Sequence, residues 1–358
     1  MGFSKAEASD QESKSAWSDE TEGSKQRKTV LVTGGAGFIG SHTAVRLLER
    51  GDKVVVVDEV NDYYDTRMKQ ANLQLLQKTA DEFADPGYET NYVFCKGDIA
   101  DRKFMQNVFA EHQPTHVCHL AARAGVRPSI DDPFVYVHSN VLGTVTLLEL
   151  AAQNGISNFV YASSSSVYGG SKKEKFSETD IVDEPVSQYA ATKKSKELFA
   201  ATYHSLYKLN CTGLRFFTVY GPRGRPDMAP FKFINNIVNG KKLDQYGDGS
   251  SERDYTYIDD IVNGVVLALD KPLGNAVLNL GRGSPCKLKD FISTIETICK
   301  RRAVINMMPM QPGDVPRTCA DTSRAEKLIG YRAKVSLKQG LENTLAWYSE
   351  WQAENSSC

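Results

Sequence analysis

Short apolar runs rich in β-branched residues alternate with amphipathic stretches through the first half of the chain. Thr29–Thr33, Lys53–Val57, Asn91–Cys95, Thr115–Leu120 and Phe159–Ala162 read as buried strands. A helical pattern follows Gly40, with Val45, Leu47 and Leu48 apolar and Gly51 as its stop. Further helical stretches lie at 101–112, 141–153 and 188–208. Alternation of this kind implies a parallel sheet covered on both faces, a doubly wound α/β fold. The polar stretch 62–90 reads as an insertion, helical around Leu73–Lys78. In the second half, Gly221–Pro230 and Gln245–Asp254 are rich in Gly, Pro, Asp and Arg and read as loops. A first domain over 28–213 and a smaller α/β lobe over 214–350, partly interleaved with it, are expected. Residues 1–27 and 351–358 are read as polar tails, the first of them disordered.

Composition narrows the function classes. Lys and Arg number 43 against 44 Asp and Glu, a net charge of −1, so no overall field attracts nucleic acid or an anionic membrane. No stretch reads as long and apolar enough to span a bilayer, and the acidic N-terminal segment argues against a transit peptide. Met1-Gly2 begins a myristoylation motif that fails at Ala6. The seven cysteines are odd in number and contain no Cys-x-x-Cys spacing, so they read as free thiols of a reducing, cytoplasmic compartment. His116, Cys118 and His119 lie in one strand whose side chains alternate faces, which argues against a shared metal.

Gly34, Gly37 and Gly40 follow a strand and open a helix. Their spacing suits a tight turn, close approach of backbone to a pyrophosphate, and helix–strand packing. An acid, Asp58, ends the next strand 18 residues after Gly40, near the roughly 20 expected of a dinucleotide site. Its carboxylate would accept from ribose hydroxyls and repel a 2′-phosphate. Glu59-Val60-Asn61 adds no basic residue, so NAD is favoured over NADP.

This pattern resembles the extended short-chain dehydrogenase/reductase superfamily, with its Rossmann-type sheet. The resemblance implies cofactor contacts from Gly34, Gly37, Phe38, Ile39, Gly40, Asp58, Asn61, Asp98, Ile99, Leu120, Ala121, Ala122, Asn140 and Ser163, besides Tyr189 and Lys193. The superfamily uses Tyr-x-x-x-Lys, which occurs three times here. Tyr92 and Lys96 lie in a strand, where they stand about 13 Å apart. Tyr168 and Lys172 flank a loop. Tyr189 and Lys193 open a helix, where residues four apart are neighbours. There Lys193 and a cationic nicotinamide favour the phenolate, making Tyr189 a base near neutral pH.

Ser163-Ser-Ser-Ser-Val-Tyr-Gly169 resembles the serine-rich segment of nucleotide-sugar epimerases, which implies Ser164 as the catalytic hydroxyl. Related dehydratases and decarboxylases carry acids where Ser165 and Ser166 stand. Leu214–Met228, Asn61–Asp65, Arg253–Asp260 and Pro312–Asp321 resemble UDP-glucuronate 4-epimerases. That resemblance implies tightly bound NAD, a UDP-sugar acid substrate, a homodimer, and no nucleic acid, membrane or metal. Substrate contacts are expected from Ser164, Ser165, Tyr189, Thr218, Arg225, Tyr246, Arg253 and Arg317. Thr218 and Arg225 are assigned to the sugar carboxylate, Arg253 and Arg317 to the pyrophosphate, and Tyr246 to the uridine. Two alternatives stay open: a UDP-galactose or relaxed 4-epimerase, and a non-catalytic NAD-binding regulator.

Overall fold

A computed structural model describes residues 27–87, 90–310 and 314–355. The expected N-terminal tail, apart from Arg27, and residues 356–358 lie outside the described residues, as does the start of the Pro312–Asp321 motif. The first half supplies β1 (Thr29–Thr33), β2 (Lys53–Asp58), β3 (Tyr92–Lys96), β4 (His116–His119), β5 (Asn158–Ala162) and β6 (Cys211–Phe216). Its helices are α1 (Phe38–Glu49), α2 (Thr66–Glu82), α3 (Arg102–His112), the short α4 (Pro128–Asp131) and α5 (Pro133–Tyr136), α6 (Gly143–Gln153) and α7 (Gln188–Tyr207). The second half adds β7 (Thr218–Tyr220), α8 (Ala229–Val238), β8 (Lys242–Tyr246), β9 (Glu252–Arg253), β10 (Tyr255–Tyr257) and α9 (Ile258–Asp270). After them come β11 (Asn275–Leu280), β12 (Cys286–Lys287), α10 (Leu288–Cys299), β13 (Val304–Met308), α11 (Ser323–Ile329) and α12 (Leu337–Asn355).

Seven strands form one sheet in the order β11-β6-β5-β4-β1-β2-β3, all parallel. Alternate residues feed alternate faces. Val30, Val32, Val54 and Val56 pack with Leu47 and Leu48 of α1 and Ile261 and Val265 of α9. Leu31, Val55 and Val57 pack with Phe109, Leu147, Leu148 and Ala200 of α3, α6 and α7. Burying each such side chain is worth about 1.5–3 kcal/mol. The strand order reverses between β1 and β4, and ligands of open α/β sheets bind outside the carboxyl ends of the strands at that point.

The remaining strands pair as β7 with β10, β8 with β13 and β9 with β12. Around them α8, α10 and α12 enclose an aromatic core, in which Tyr255 stacks on Phe291 with centroids 4.1 Å apart. The expected cut at 213/214 falls inside β6, and α9 and β11 return to the large sheet. The expected loop at 245–254 is bounded by β8 and β9, and residues 351–355 continue α12 rather than form a tail. The insertion is also more ordered than its sequence pattern indicates. Asp65 caps α2 by accepting from Arg67 N, and Met68, Leu76 and Ala80 are buried along it. The continuous run Pro133–Gln153, contrary to expectation, is long and apolar enough to cross a bilayer by length and composition. Half of its most apolar 18-residue window is buried in the fold.

Candidate active site

Gly37 is the N-cap of α1, and its N–H donates to Gly34 O at 3.0 Å. Gly34 has φ +73°, the left-handed region that favours glycine. A Cβ there would lie 2.8 Å from the backbone of Ala121, and one on Gly40 only 2.0 Å from Gly34 O. The turn therefore leaves backbone N–H groups of a helix N-terminus facing the crevice, a setting that suits a pyrophosphate. Beside it Asp58 accepts from Ala36 N at 3.1 Å and Val60 N at 2.8 Å. Burial pushes its carboxyl upward, opposed by those bonds and by Lys69. Each oxygen takes only one of these bonds and keeps acceptor capacity for a ribose hydroxyl.

A cavity of about 400 Å³ runs from this loop across the strand ends. It gathers Gly34, Gly37, Phe38, Ile39, Gly40, Asp58, Asn61, Asp98, Ile99, Leu120, Ala121, Ala122 and Ser163 with Ser164, Ser165, Tyr189, Lys193, Thr218 and Arg225. These residues fit a dinucleotide: a cradle that side chains would fill, a helix N-terminus, and a carboxylate at the ribose position.

The N-terminal part of α7 carries the reacting groups. Ser187 caps it by accepting from Ala190 N at 3.1 Å. One turn inward, Tyr189 and Lys193 share a face, with Nζ 5.6 Å from the phenol centroid. Lys193 Nζ donates to Ala162 O at 3.0 Å, at the end of β5. Ser164 Oγ donates to Ser166 Oγ and accepts from Ser166 N, both at 3.1 Å, and it lies in the same cavity as the Tyr189 phenol. Burial raises the phenol's pKa, more than Ser164 and Arg225 lower it. Burial, with Arg225's charge, brings Lys193 down to about 7. In the protein alone, desolvation thus outweighs the lysine–phenol pairing expected to favour the phenolate.

Thr218 and Arg225 line the same cavity as Tyr189. Arg225 forks onto Asp227, Nε to Oδ1 at 3.0 Å and Nη2 to Oδ2 at 2.6 Å. It also donates to Ala124 O at 3.1 Å and stands over the rings of Tyr63 and Tyr64, 5.3 and 5.9 Å away.

A family model for GDP-mannose 4,6-dehydratase matches residues 31–344. The chain belongs to this family of extended short-chain dehydrogenase/reductases. It is 43% identical to UDP-glucuronate 4-epimerase 2 of Arabidopsis thaliana over 93% of this chain and 80% of that protein. It resembles the structure of Bacillus cereus UDP-glucuronic acid 4-epimerase in complex with UDP-glucuronic acid and NAD, at 35% identity and TM-score 0.81. That match covers 90% of this chain and 99% of the other. It also resembles Thermotoga maritima UDP-glucose 4-epimerase with UDP-glucose, at 31% identity and TM-score 0.80, with the same coverage.

Four expected contacts stand outside the lining of this cavity. Asn140 is fully buried and its amide is engaged by Arg123 N, Arg123 O and Thr192 Oγ1 at 2.8, 2.9 and 3.0 Å. It holds the loop after β4 rather than lining the cleft. Tyr246, Arg253 and Arg317 lie on the second lobe. Arg317 pairs with Glu252 at 3.1 Å, and Arg253 donates to Glu252 O at 2.9 Å. Tyr246 lies under the guanidinium of Arg127, 4.6 Å from its centroid, and Arg127 pairs with Asp314 at 2.9 Å.

Sequence reasoning missed Lys69, Tyr63, Tyr64 and Arg123, which line the cavity. Lys69 Nζ donates to Asn61 O and Oδ1 at 2.6 and 2.8 Å, fixing the loop beyond Asp58. The Asn61–Asp65 motif was the available signal for both tyrosines. Nothing in the periodicity of α2 marked Lys69. Of the strand residues weighed as metal ligands, His119 instead meets Thr33, Thr144 and Lys196 at 2.8, 2.9 and 3.0 Å.

Proposed function

We propose that the protein is a UDP-glucuronate 4-epimerase, interconverting UDP-glucuronate and UDP-galacturonate with tightly bound NAD. The observation that carries this reading is one continuous cavity. It joins a dinucleotide cradle, the Ser164–Tyr189–Lys193 cluster, and Thr218 and Arg225, a pair suited to a carboxylate. The named activities of the relatives agree with it.

When bound, NAD supplies the hydride acceptor and donor for C4 of the sugar. Gly34, Gly37, Phe38, Ile39 and Gly40 hold its pyrophosphate, Asp58 and Asn61 its ribose, and Asp98 and Ile99 its adenine. Tyr189 takes the C4 hydroxyl proton as the carbon is oxidised and gives it back when the keto sugar is reduced on the other face. Lys193 and the cationic cofactor together offset the burial that disfavours the phenolate. Ser164 holds the reacting oxygen. Thr218 and Arg225 fix the C6 carboxylate, and Ser165 and Ser166 add no acid that would direct the keto intermediate elsewhere. Arg253 and Arg317, on the second lobe beyond the residues that line the cavity, are assigned to the pyrophosphate of UDP, and Tyr246 to its uridine.

The protein acts as a cytoplasmic homodimer. Phe134, Val137, Leu142, Leu198, Leu206 and Tyr207, on the α5–α6 run and α7, present apolar side chains to the outside. The six cysteines among the described residues are free thiols.

A neutral-sugar 4-epimerase is the second reading, favoured by Asp227, which already balances the charge of Arg225. Incubation with UDP-glucuronate and, separately, UDP-galactose, followed by chromatographic separation of products, decides between them. Turnover of UDP-galactose alone refutes the main reading.

A further inference from the structure

Arg225 lines the cavity that holds Tyr189 and Thr218, and it is already paired. Asp227 takes its Nε and Nη2, and Ala124 O takes Nη2 again. Two rings from the loop after β2 flank it. Only 16% of its side chain is exposed, against 31% for Asp227. In this setting the fork has its Nη1 edge left for an incoming oxygen, while its net charge is offset. Lys69, Arg123 and Lys193 also line the cavity, but Asn61 holds Lys69, Glu59 pairs with Arg123 at 3.3 Å, and Lys193 turns to Ala162 O. Thr218 adds only a hydroxyl.

We propose that Asp227 is a specificity-determining residue that competes with the substrate's C6 carboxylate for Arg225 and so limits the preference for uronates over neutral sugars. The inference rests on the reading of Arg225 as the carboxylate ligand. Its logic is linkage. Removing one partner of a largely buried pair leaves the other charge uncompensated. A ligand that restores a carboxylate relieves that cost, whereas a ligand with a hydroxymethyl group does not. A residue that merely aimed the guanidinium would give the opposite result, because a loosened Arg225 would bind the carboxylate less well.

The experiment compares UDP-glucuronate with UDP-glucose, which differ only at C6, so contributions from UDP cancel. Kd values are measured by calorimetry on NAD-loaded wild type, Asp227→Asn and Asp227→Glu. Asp227→Asn should raise the ratio Kd(UDP-glucose)/Kd(UDP-glucuronate) by roughly tenfold, the scale of one charged contact. Asp227→Glu should keep the wild-type ratio. An unchanged or lowered ratio in Asp227→Asn overturns the proposal. If Asp227→Asn does not fold, Asp227→Ser is subject to the same expectation and the same refutation. The functional reading fails separately, by absence of UDP-glucuronate turnover in wild type, since the ratio is read from binding alone.

Discussion

Replacing Lys193 with Met should change the pH dependence of stability in a direction fixed by its burial. Lys193 is 2% exposed, and its pKa falls from 10.5 to about 7 on folding. Below pH 7 the ammonium is charged in both states, and the folded state bears the full desolvation cost. At about 1.4 kcal/mol per pKa unit, that cost is roughly 4–5 kcal/mol. Between pH 7 and 10.5 the unfolded chain binds a proton that the folded chain does not, so stability rises with pH. The penalty is relieved by about 1.4 kcal/mol per unit across that window. Methionine keeps the volume and removes the charge, but it loses the bond to Ala162 O, worth about 1–3 kcal/mol. Nucleotide-free Lys193→Met should therefore be more stable than wild type at pH 6, by a few kcal/mol. That advantage should shrink steadily from pH 7 to 9. Urea denaturation of both proteins at four pH values measures it. A gap that stays constant with pH would show that Lys193 titrates as it does in the unfolded chain, and the argument from burial would be wrong.

Tyr189→Phe should lose nearly all turnover yet still bind NAD by titration; activity within tenfold of wild type removes the phenol from the base role. NADP should bind much more weakly than NAD, because Asp58 repels a 2′-phosphate, and equal affinities contradict this. Arg225→Ala should raise KM for UDP-glucuronate by about 10- to 100-fold, from the loss of about 1.5–3 kcal/mol. Its 4-keto uronate, a β-keto acid with a freed carboxylate, should also release more UDP-4-keto-pentose, which mass spectrometry detects. Clean turnover with unchanged KM would place the carboxylate elsewhere. Gly40→Ala should abolish NAD retention, since its Cβ would meet Gly34 O at 2.0 Å; a variant that keeps the cofactor refutes the close-packed turn.

Much of the cofactor half was legible because its signals are local. A β-branched run, three glycines at fixed spacing and an acid at the next strand end define β1, α1 and β2 without tertiary information. Tyr189–Lys193 was separable from its two decoys by helical context alone. The rest depended on contacts made at a distance. The inward face of α2 carries Lys69, Asn72 and Thr79 among its apolar residues, so its periodicity is blurred and only its middle was read as helical. Asn140, expected to contact the cofactor, lies inside the continuous run Pro133–Gln153, and its amide is committed to Arg123 and Thr192, which no sequence pattern announces. The pairing of Arg225 with Asp227 lies within one irregular loop, where separation by two residues implies nothing about facing. Arg127 meets Tyr246 and Asp314 from opposite halves of the chain.

The path of the chain through the large sheet limits how this enzyme can be re-engineered. It leaves the sheet after β6, returns through α9 and β11, leaves again for β12, α10 and β13, and comes back at α11, whose Ala325 and Ile329 join the core of the large sheet. The substrate-facing lobe is thus threaded from separate lengths of polypeptide. A chimaera that takes its sugar preference from a relative must exchange the stretch between β6 and α9, the stretch between β11 and α11, and α12 together. A single C-terminal graft would also replace β11, α9 and α11, and with them part of the wall against which α1 and its glycine turn are packed.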